Sequence, residues 1–242
     1  MSSRSTRDAF GRIPWLASTP AATLDWLAEH AVLHRVPAGV QLFEQAERPS
    51  FAQFLVAGAI ELLAVRDAEE KLIELVQGPE LLLPAAVLSR QPYLVSGRVR
   101  EPSQLVLVQA EAFRTAVATD HALCLAVLAC QAAQFRRQLK LAKAIRLRSA
   151  EERIGCYLLA LAGACKGASA VHLPLEKRLI ASQLGMTRET FSRALPAMIQ
   201  YGLRVVGDQL HVEDLKRAQA AFPLDPLIDG PEPFVPLNAP RT

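Results

Sequence analysis

The apolar positions change period twice along the chain. Residues 19–31 keep a helical spacing, with Leu24, Trp26 and Leu27 as apolar positions, Thr19 where a cap belongs and Pro20 suited to a first turn. From about 32 to 110 the pattern shifts to short apolar runs: VLHRVPAG, VQLFEQ, FAQFLVAG, AIELLAV, KLIELVQG, LVSGRV and LVLV. Gly39, Gly58, Gly78 and the stretch 67–71 mark turns between them. Several short strands at regular spacing predict a small β-roll or barrel.

Beyond 110 the helical period returns. Residues 111–118 predict a short helix, and 120–145 a long one without Gly or Pro. On the long helix Leu123, Val127, Cys130, Gln134, Leu141 and Ile145 form one stripe. Leu128, Phe135, Leu139 and Ala142 form a second. Two apolar stripes both need cover, one against the roll and the other against a second subunit. Residues 149–164 predict another helix, with Ser149 and Glu152 spaced as a capping box and Gly163 and Gly167 marking the end. The segment 223–242 holds six prolines, which predicts an extended tail.

Residues 175–203, LEKRLIASQLGMTRETFSRALPAMIQYGL, carry the densest pattern. A helix from 177 to 184 turns Leu179, Ile180 and Leu184 inward, and Gly185 takes the turn. Thr187 caps a second helix whose apolar stripe is Phe191, Leu195 and Met198. Arg188, Glu189, Ser192 and Arg193 fall on its opposite side, since 188/192 and 189/193 are four apart. Pro196 removes a helical hydrogen bond and predicts a kink after the polar residues. Residues 204–211, RVVGDQLH, predict a hairpin about Gly207 and Asp208. The whole predicts a helix-turn-helix with a polar recognition face and a wing.

Composition narrows the class. The chain has 242 residues, 51% of them hydrophobic, which excludes wholesale disorder. No apolar run approaches about 18 residues, and the first residues lack an apolar leader core. A soluble cytoplasmic protein is expected, with no membrane partner. Cys124, Cys130, Cys156 and Cys165 form no C-x-x-C pair, so reduced thiols are expected rather than disulfides or zinc. Charge is uneven. Residues 146–222 carry eleven Lys/Arg against seven Asp/Glu, and 136–148 carry six basic residues and no acid, which suits a polyanionic partner. No Ser-His-Asp set, phosphate-binding Gly-rich loop, H-E-x-x-H or paired-carboxylate motif stands out, so an enzyme is not expected.

The motif R-E-T-F-S-R at 188–193, within this order of elements, resembles the recognition helix of the Crp/Fnr family of transcription regulators. The likeness runs over about residues 10–220. It implies an α+β chain with an N-terminal cyclic-nucleotide-binding-type β-roll, a long dimerisation helix and a C-terminal winged helix-turn-helix. The domains would be 1–118 (sensing), 119–147 (dimerisation helix and hinge), 148–222 (DNA binding) and 223–242 (tail). The E-x-x-S-R form resembles the Fnr-type branch, which reads palindromes with TTGAT-like half-sites. The stretch RSAEERIGCYLLALA resembles regulators of denitrification and nitric-oxide response (the Dnr/NnrR-like branch).

Carried onto these residues, the resemblance makes Glu189, Ser192 and Arg193 base readers. Arg193 can donate twice to guanine and Glu189 can accept from cytosine while orienting Arg193. Arg188, Thr187, Thr190 and Lys177 would position the protein on phosphates. The partners that follow are double-stranded DNA, a second copy through the 120–145 helix, and RNA polymerase.

The sensor is less defined. Cyclic-nucleotide binders of the family resemble G-x-x-x-G-E-[LI] followed by R-[ST]-A. Here GPELLLPAAVL (78–88) lacks the Gly-Glu pair, and Val95 and Ser96 stand at the Arg-Ser position, with Arg98 nearby. Cyclic AMP is therefore disfavoured. No cysteine precedes Cys124, which disfavours an iron–sulfur cluster. Haem and nitric oxide are the favoured cofactor and effector by resemblance, with His30, His34 and His121 as ligand candidates. The alternatives are an effector-independent regulator with a degenerate sensor and, more remotely, a small-molecule-binding protein or enzyme without DNA activity.

Overall fold

The computed structural model describes residues 3–67, 69–164 and 170–230. They form two compact units that part inside one helix, after Phe135.

The first unit opens with α1 (Ser3–Phe10) and α2 (Ala21–Glu29). The strands are β1 (Ala31–Val36), β2 (Gln41–Phe43), β3 (Phe51–Arg66), β4 (Glu69–Gln77), β5 (Glu80–Leu82) and β6 (Ser96–Gln109). Between β5 and β6 lies α3 (Pro84–Ser89). After β6 come α4 (Ala110–Thr119) and α5 (His121–Leu147), whose first half belongs here. The sheet is antiparallel in the order β1-β6-β3-β4, with β2 beside β6 and β5 beside β3.

Two pairs of expected strands are each one long strand. FAQFLVAG and AIELLAV join as β3 across Gly58, and LVSGRV runs on into LVLV as β6. Gly58 is no chain reversal. Its φ is +100°, and a Cβ there would lie 2.7 Å from the Ser103 Cα on β6. The register slips around it, so the glycine bends the strand at an irregularity instead of ending it.

Strand alternation sorts the roll into two cores. Ala52, Phe54 and Val56 join Val106 and Val108 in the outer core, under the helices. Leu55 joins Leu105, Ile60, Leu62 and Val99 in the inner core. The ring of Phe54 is the hub of the outer core. Phe10, Trp15 and Phe113 lie 5.3, 5.8 and 5.7 Å from it, centroid to centroid. Leu123, Val127 and Cys130 of α5 pack into this same core, which is where the first stripe goes.

The second unit contains the end of α5, then α6 (Ala150–Ala164), β7 (Ala170–His172), α7 (Lys177–Gln183) and α8 (Arg188–Ala194). A 3-10 segment (Leu195–Tyr201) leads to β8 (Leu203–Val206), β9 (Gln209–Val212), α9 (Leu215–Ala221) and α10 (Pro226–Asp229). The expected wing is the β8–β9 hairpin, with β7 added on its other side. Ile154, Leu158, Ile180, Phe191, Met198 and Leu203 build the core. The capping box forms in both directions: Ser149 N–H donates to Glu152 Oε2 (2.7 Å) and Glu152 N–H to Ser149 Oγ (3.1 Å).

The two compact units meet inside α5: its first half is held by the roll core, while Leu141 and Ile145 come up against Gly185. Two further features differ from expectation. Thr19 does not cap α2: Pro20 stands at the N-cap position and no side chain caps it. The tail expected to be extended contains α10 in its described part. Asp225 caps it by accepting from Leu227 N–H (2.8 Å), and Pro226 takes the first position. Residues 231–242 of that tail, and Cys165 and Gly167, lie outside the described residues. Cys124, Cys130 and Cys156 are free thiols, and burial pushes Cys156 up to about 11. Among the described residues, no single helix is long and apolar enough to cross a membrane.

Candidate nucleic-acid interface

The turn between α7 and α8 fixes what α8 presents. Gly185 has φ +65°, a conformation that favours glycine, and a Cβ there would lie 2.5 Å from Ile145 Cδ1 and push that side chain aside. Thr187 then caps α8, its Oγ1 accepting from Thr190 N–H at 3.2 Å. Phe191 is fully buried and draws one side of α8 into the core, followed by Leu195 and Met198. The opposite side is left to solvent: Arg188, Glu189, Ser192 and Arg193 are all exposed.

Pro196 acts as the sequence predicts. The α-helix stops at Ala194 and the chain tightens into the 3-10 segment, so the polar residues sit on the regular part.

The side chains are prepared differently from expectation. Glu189 is not paired to Arg193 through its carboxylate. Its own backbone N–H, then the Thr187 hydroxyl, then the charges of Arg188 and Arg193 hold the carboxyl below the usual glutamate range. Arg193 instead lays its Nε against the Glu189 carbonyl oxygen, at 3.4 Å. Glu189 thus stays ionised and folded toward the helix start, and Arg193 keeps the terminal nitrogens of its fork for a partner. The Thr187 and Thr190 hydroxyls lie 3.1 Å apart, so Thr190 leans on the capping residue. Lys177 is the first residue of α7 and is half-buried.

The sensor-side candidates do not come together. His30 is half-buried with Nδ1 2.9 Å from the Trp26 carbonyl oxygen, its ring 4.3 Å from the Trp26 ring. His34 is exposed on β1 and lines a cavity whose other lining residues include Glu47 but no Lys or Arg. His121 is exposed at the first position of α5. A haem needs an axial donor in an apolar slot, and cations for its carboxylates. This donor set does not fit one.

At the nucleotide-cassette stretch, the sequence pattern gives no acidic partner, yet Glu80 supplies one from β5. Cys130 Sγ and Gln134 Nε2 of α5 each donate to its Oε1 at 3.0 Å. Arg98 is bound elsewhere, at 2.8 Å from Glu70 and 3.5 Å from the buried Glu61. Phe43 stacks on Tyr93 at 4.2 Å and packs so close to Gly97 that a Cβ there would strike its ring.

Residues 152–219 match the family model for a Crp-like helix-turn-helix domain. The second unit carries a Crp-like helix-turn-helix. No curated protein matches the chain in sequence. Solved structures match its fold. FixK2 from Bradyrhizobium japonicum is 19% identical, with 81% of this chain and 98% of that one covered and a TM-score of 0.62. A CooA mutant from Carboxydothermus hydrogenoformans is 16% identical, covering 80% and 88%, with a TM-score of 0.65. The c-di-GMP responsive global regulator CLP of Xanthomonas campestris is 17% identical, covering 81% and 100%, with a TM-score of 0.62. The fold is Crp-like throughout: a cyclic-nucleotide-binding-type β-roll, a long helix and a helix-turn-helix.

Within the Crp-like domain two exposed cations escaped sequence reasoning. Arg178 follows Lys177 on α7, and Arg204 on β8 pairs with Glu213 at 2.6 Å. A strand-period count would have placed Arg204 on the solvent side of the wing, opposite the buried Leu203.

Proposed function

We propose that the protein is a homodimeric, sequence-specific DNA-binding transcription regulator of the Crp/Fnr type. The observation that carries this is the surface of α8. Four polar side chains, two of them arginines, are exposed on a capped helix whose other side is anchored by Phe191. A helix so held enters the major groove as one piece.

Arg193 reads a guanine through O6 and N7, Glu189 accepts from a cytosine amine and Ser192 meets the neighbouring base edge. Arg188, Thr187, Thr190 and Lys177 set the register on phosphates, and Arg178 and Arg204 add to that set. The second stripe of α5 supports the dimer. Leu128, Phe135 and Leu139 are 54%, 64% and 50% exposed in the single chain, a row of apolar side chains that a second copy would cover. Two recognition helices then read an Fnr-like palindrome with half-sites one helical turn apart. RNA polymerase is the further partner of such a regulator, in the cytoplasm. The roll acts as the sensor, and an effector works only through differential affinity for the DNA-competent dimer.

Selection from a randomised duplex library tests this reading. The expected result is enrichment of an inverted repeat, bound with a steep salt dependence. Lys177→Ala should weaken binding to all duplexes alike and lower the salt slope by about one. Failure to enrich any motif, or a motif without dyad symmetry, contradicts it.

A further inference from the structure

Two residues, Arg148 and Ser149, join α5 to α6, and the helical hydrogen-bond ladder breaks there. The Ser149 N–H turns to the Glu152 carboxylate, and the Arg148 carbonyl oxygen accepts from Arg153 Nη1 at 3.0 Å. Short joints at the ends of elements are where chains pivot. The direction of α6 matters for α8, because Ile154 and Leu158 of α6 share one core with Phe191. Any pivot at the joint therefore carries the recognition surface with it.

Close packing alone does not fix the joint. A cavity of about 250 Å³ remains between the end of α5, α6, the end of α7 and α10, with Leu141, Ala144, Ala160, Leu184 and Ile228 among its lining. Facing walls that do not interdigitate leave an angle between helices loosely specified.

Directional polar bonds tie these walls together. Arg148, at the joint itself, meets Asp229 with both terminal nitrogens, at 2.6 and 2.7 Å. Two turns earlier on α5, Lys140 Nζ donates to the Gly230 carbonyl oxygen at 3.0 Å. α10 itself packs against α6, so residues 225–230 touch both arms of the joint. Asp229 is also held from its own side. Its Oδ2 accepts from the Asp225 N–H at 2.8 Å, and Asp225 caps α10 through the Leu227 N–H. A bidentate fork sets orientation as well as distance, and at 11% and 13% exposure water competes little for it.

We propose that residues 225–230 form a strap that fixes the angle between α5 and α6, and that Asp229 is a positioning residue which, through Arg148, sets the half-site spacing the dimer accepts. The proposal rests on the DNA-binding reading above and deepens it. In a dimer joined along α5, the separation of the two α8 helices follows from the α5–α6 angle in each copy. A fixed angle lets one spacing be read without an ordering cost at the joint.

Two measurements on the full chain test this, with Asp229→Asn and Asp225→Ala as variants. Asp225→Ala loosens α10 without leaving the Arg148 charge unpaired, so it stays informative where Asp229→Asn folds poorly. The first measurement needs no DNA. Hydrogen exchange read by mass spectrometry should be about tenfold faster in both variants for peptides spanning 144–153, and unchanged for 154–164.

The second measurement is fluorescence anisotropy with the selected inverted repeat, the same repeat with one base pair inserted or removed between half-sites, and a single half-site. The parent should bind the altered spacings about tenfold more weakly than the selected one. The variants should lose about tenfold on the selected spacing alone, so that discrimination between spacings disappears.

Unchanged exchange at 144–153 in both variants overturns the strap. So do folded, dimeric variants that keep the parent's spacing discrimination, or that lose affinity alike for every duplex, the single half-site included. A parent that selects no inverted repeat marks a failure of the DNA-binding reading instead, and removes the spacing role with it.

Discussion

Arg148 and Asp229 meet as a bidentate ion pair, with Nη1 2.6 Å from Oδ1 and Nη2 2.7 Å from Oδ2. One follows the end of α5 and the other ends α10, and their side chains are only 11% and 13% exposed. The bond to Asp229 raises the Arg148 pKa further. Lys140 adds a bond from Nζ to the Gly230 carbonyl oxygen at 3.0 Å. Residues 229 and 230 are thereby tied to the C-terminal end of the long helix. Removing one partner strands a largely buried charge, so Asp229→Ala should cost about 2 kcal/mol in urea unfolding. An unchanged midpoint would show that the pair contributes nothing.

Gly185 should tolerate no side chain. Ala at φ +65° is strained, and its Cβ would meet Ile145. Gly185→Ala is expected to destabilise by more than about 1 kcal/mol. Combining it with Ile145→Ala should recover the steric part and leave the conformational part, giving a favourable coupling energy in a double-mutant cycle. Strict additivity would rule out the contact as a cause.

The capping box of α6 gives a pH dependence. The Ser149 backbone N–H and then its hydroxyl hold Glu152 below the usual glutamate range. A carboxyl with a depressed folded pKa contributes stability above its unfolded pKa and loses it as pH falls through the folded value. Glu152→Ala should therefore be less stable than the parent at pH 7 and converge with it in acid. Ser149→Ala removes the cap and should cost about 1 kcal/mol. A Glu152→Ala deficit that persists unchanged in acid would assign the effect to packing instead.

Much of the second unit was legible because its signals are local. Ser149 with Glu152, Thr187 and Pro196 each act within a few residues, as does the turn conformation of Gly185, although its contact with Ile145 is long-range. The roll was less legible because its strands are long and bent. Gly58 looks like a turn in sequence, and only the approach of Ser103, forty-five positions away, shows that it bends a continuous strand. The polar face of α8 followed from helical spacing. The folding back of Glu189 did not, since it depends on which donors a side chain finds near a helix start. Glu80 escaped notice because the donors that hold it, Cys130 and Gln134, lie on α5, far along the sequence.

The exposed stripe on α5 predicts the oligomeric state. The chain has a mass of 26.4 kDa, so sedimentation should report about twice that. Phe135→Glu together with Leu139→Glu places charges where two copies would meet and should leave a folded monomer. A parent protein that sediments as a monomer at all concentrations would remove the dimer from the account.

The most direct test concerns Arg193. Once a site has been selected from random duplexes, affinities for every single-base variant of one half-site are measured for the parent and for Arg193→Ala by fluorescence anisotropy at fixed salt. The account predicts that Arg193→Ala loses about 1–3 kcal/mol on the selected site and loses discrimination at one guanine position, with the other positions still read. An unchanged profile, or a uniform loss across all duplexes, would mean that α8 does not read bases through Arg193.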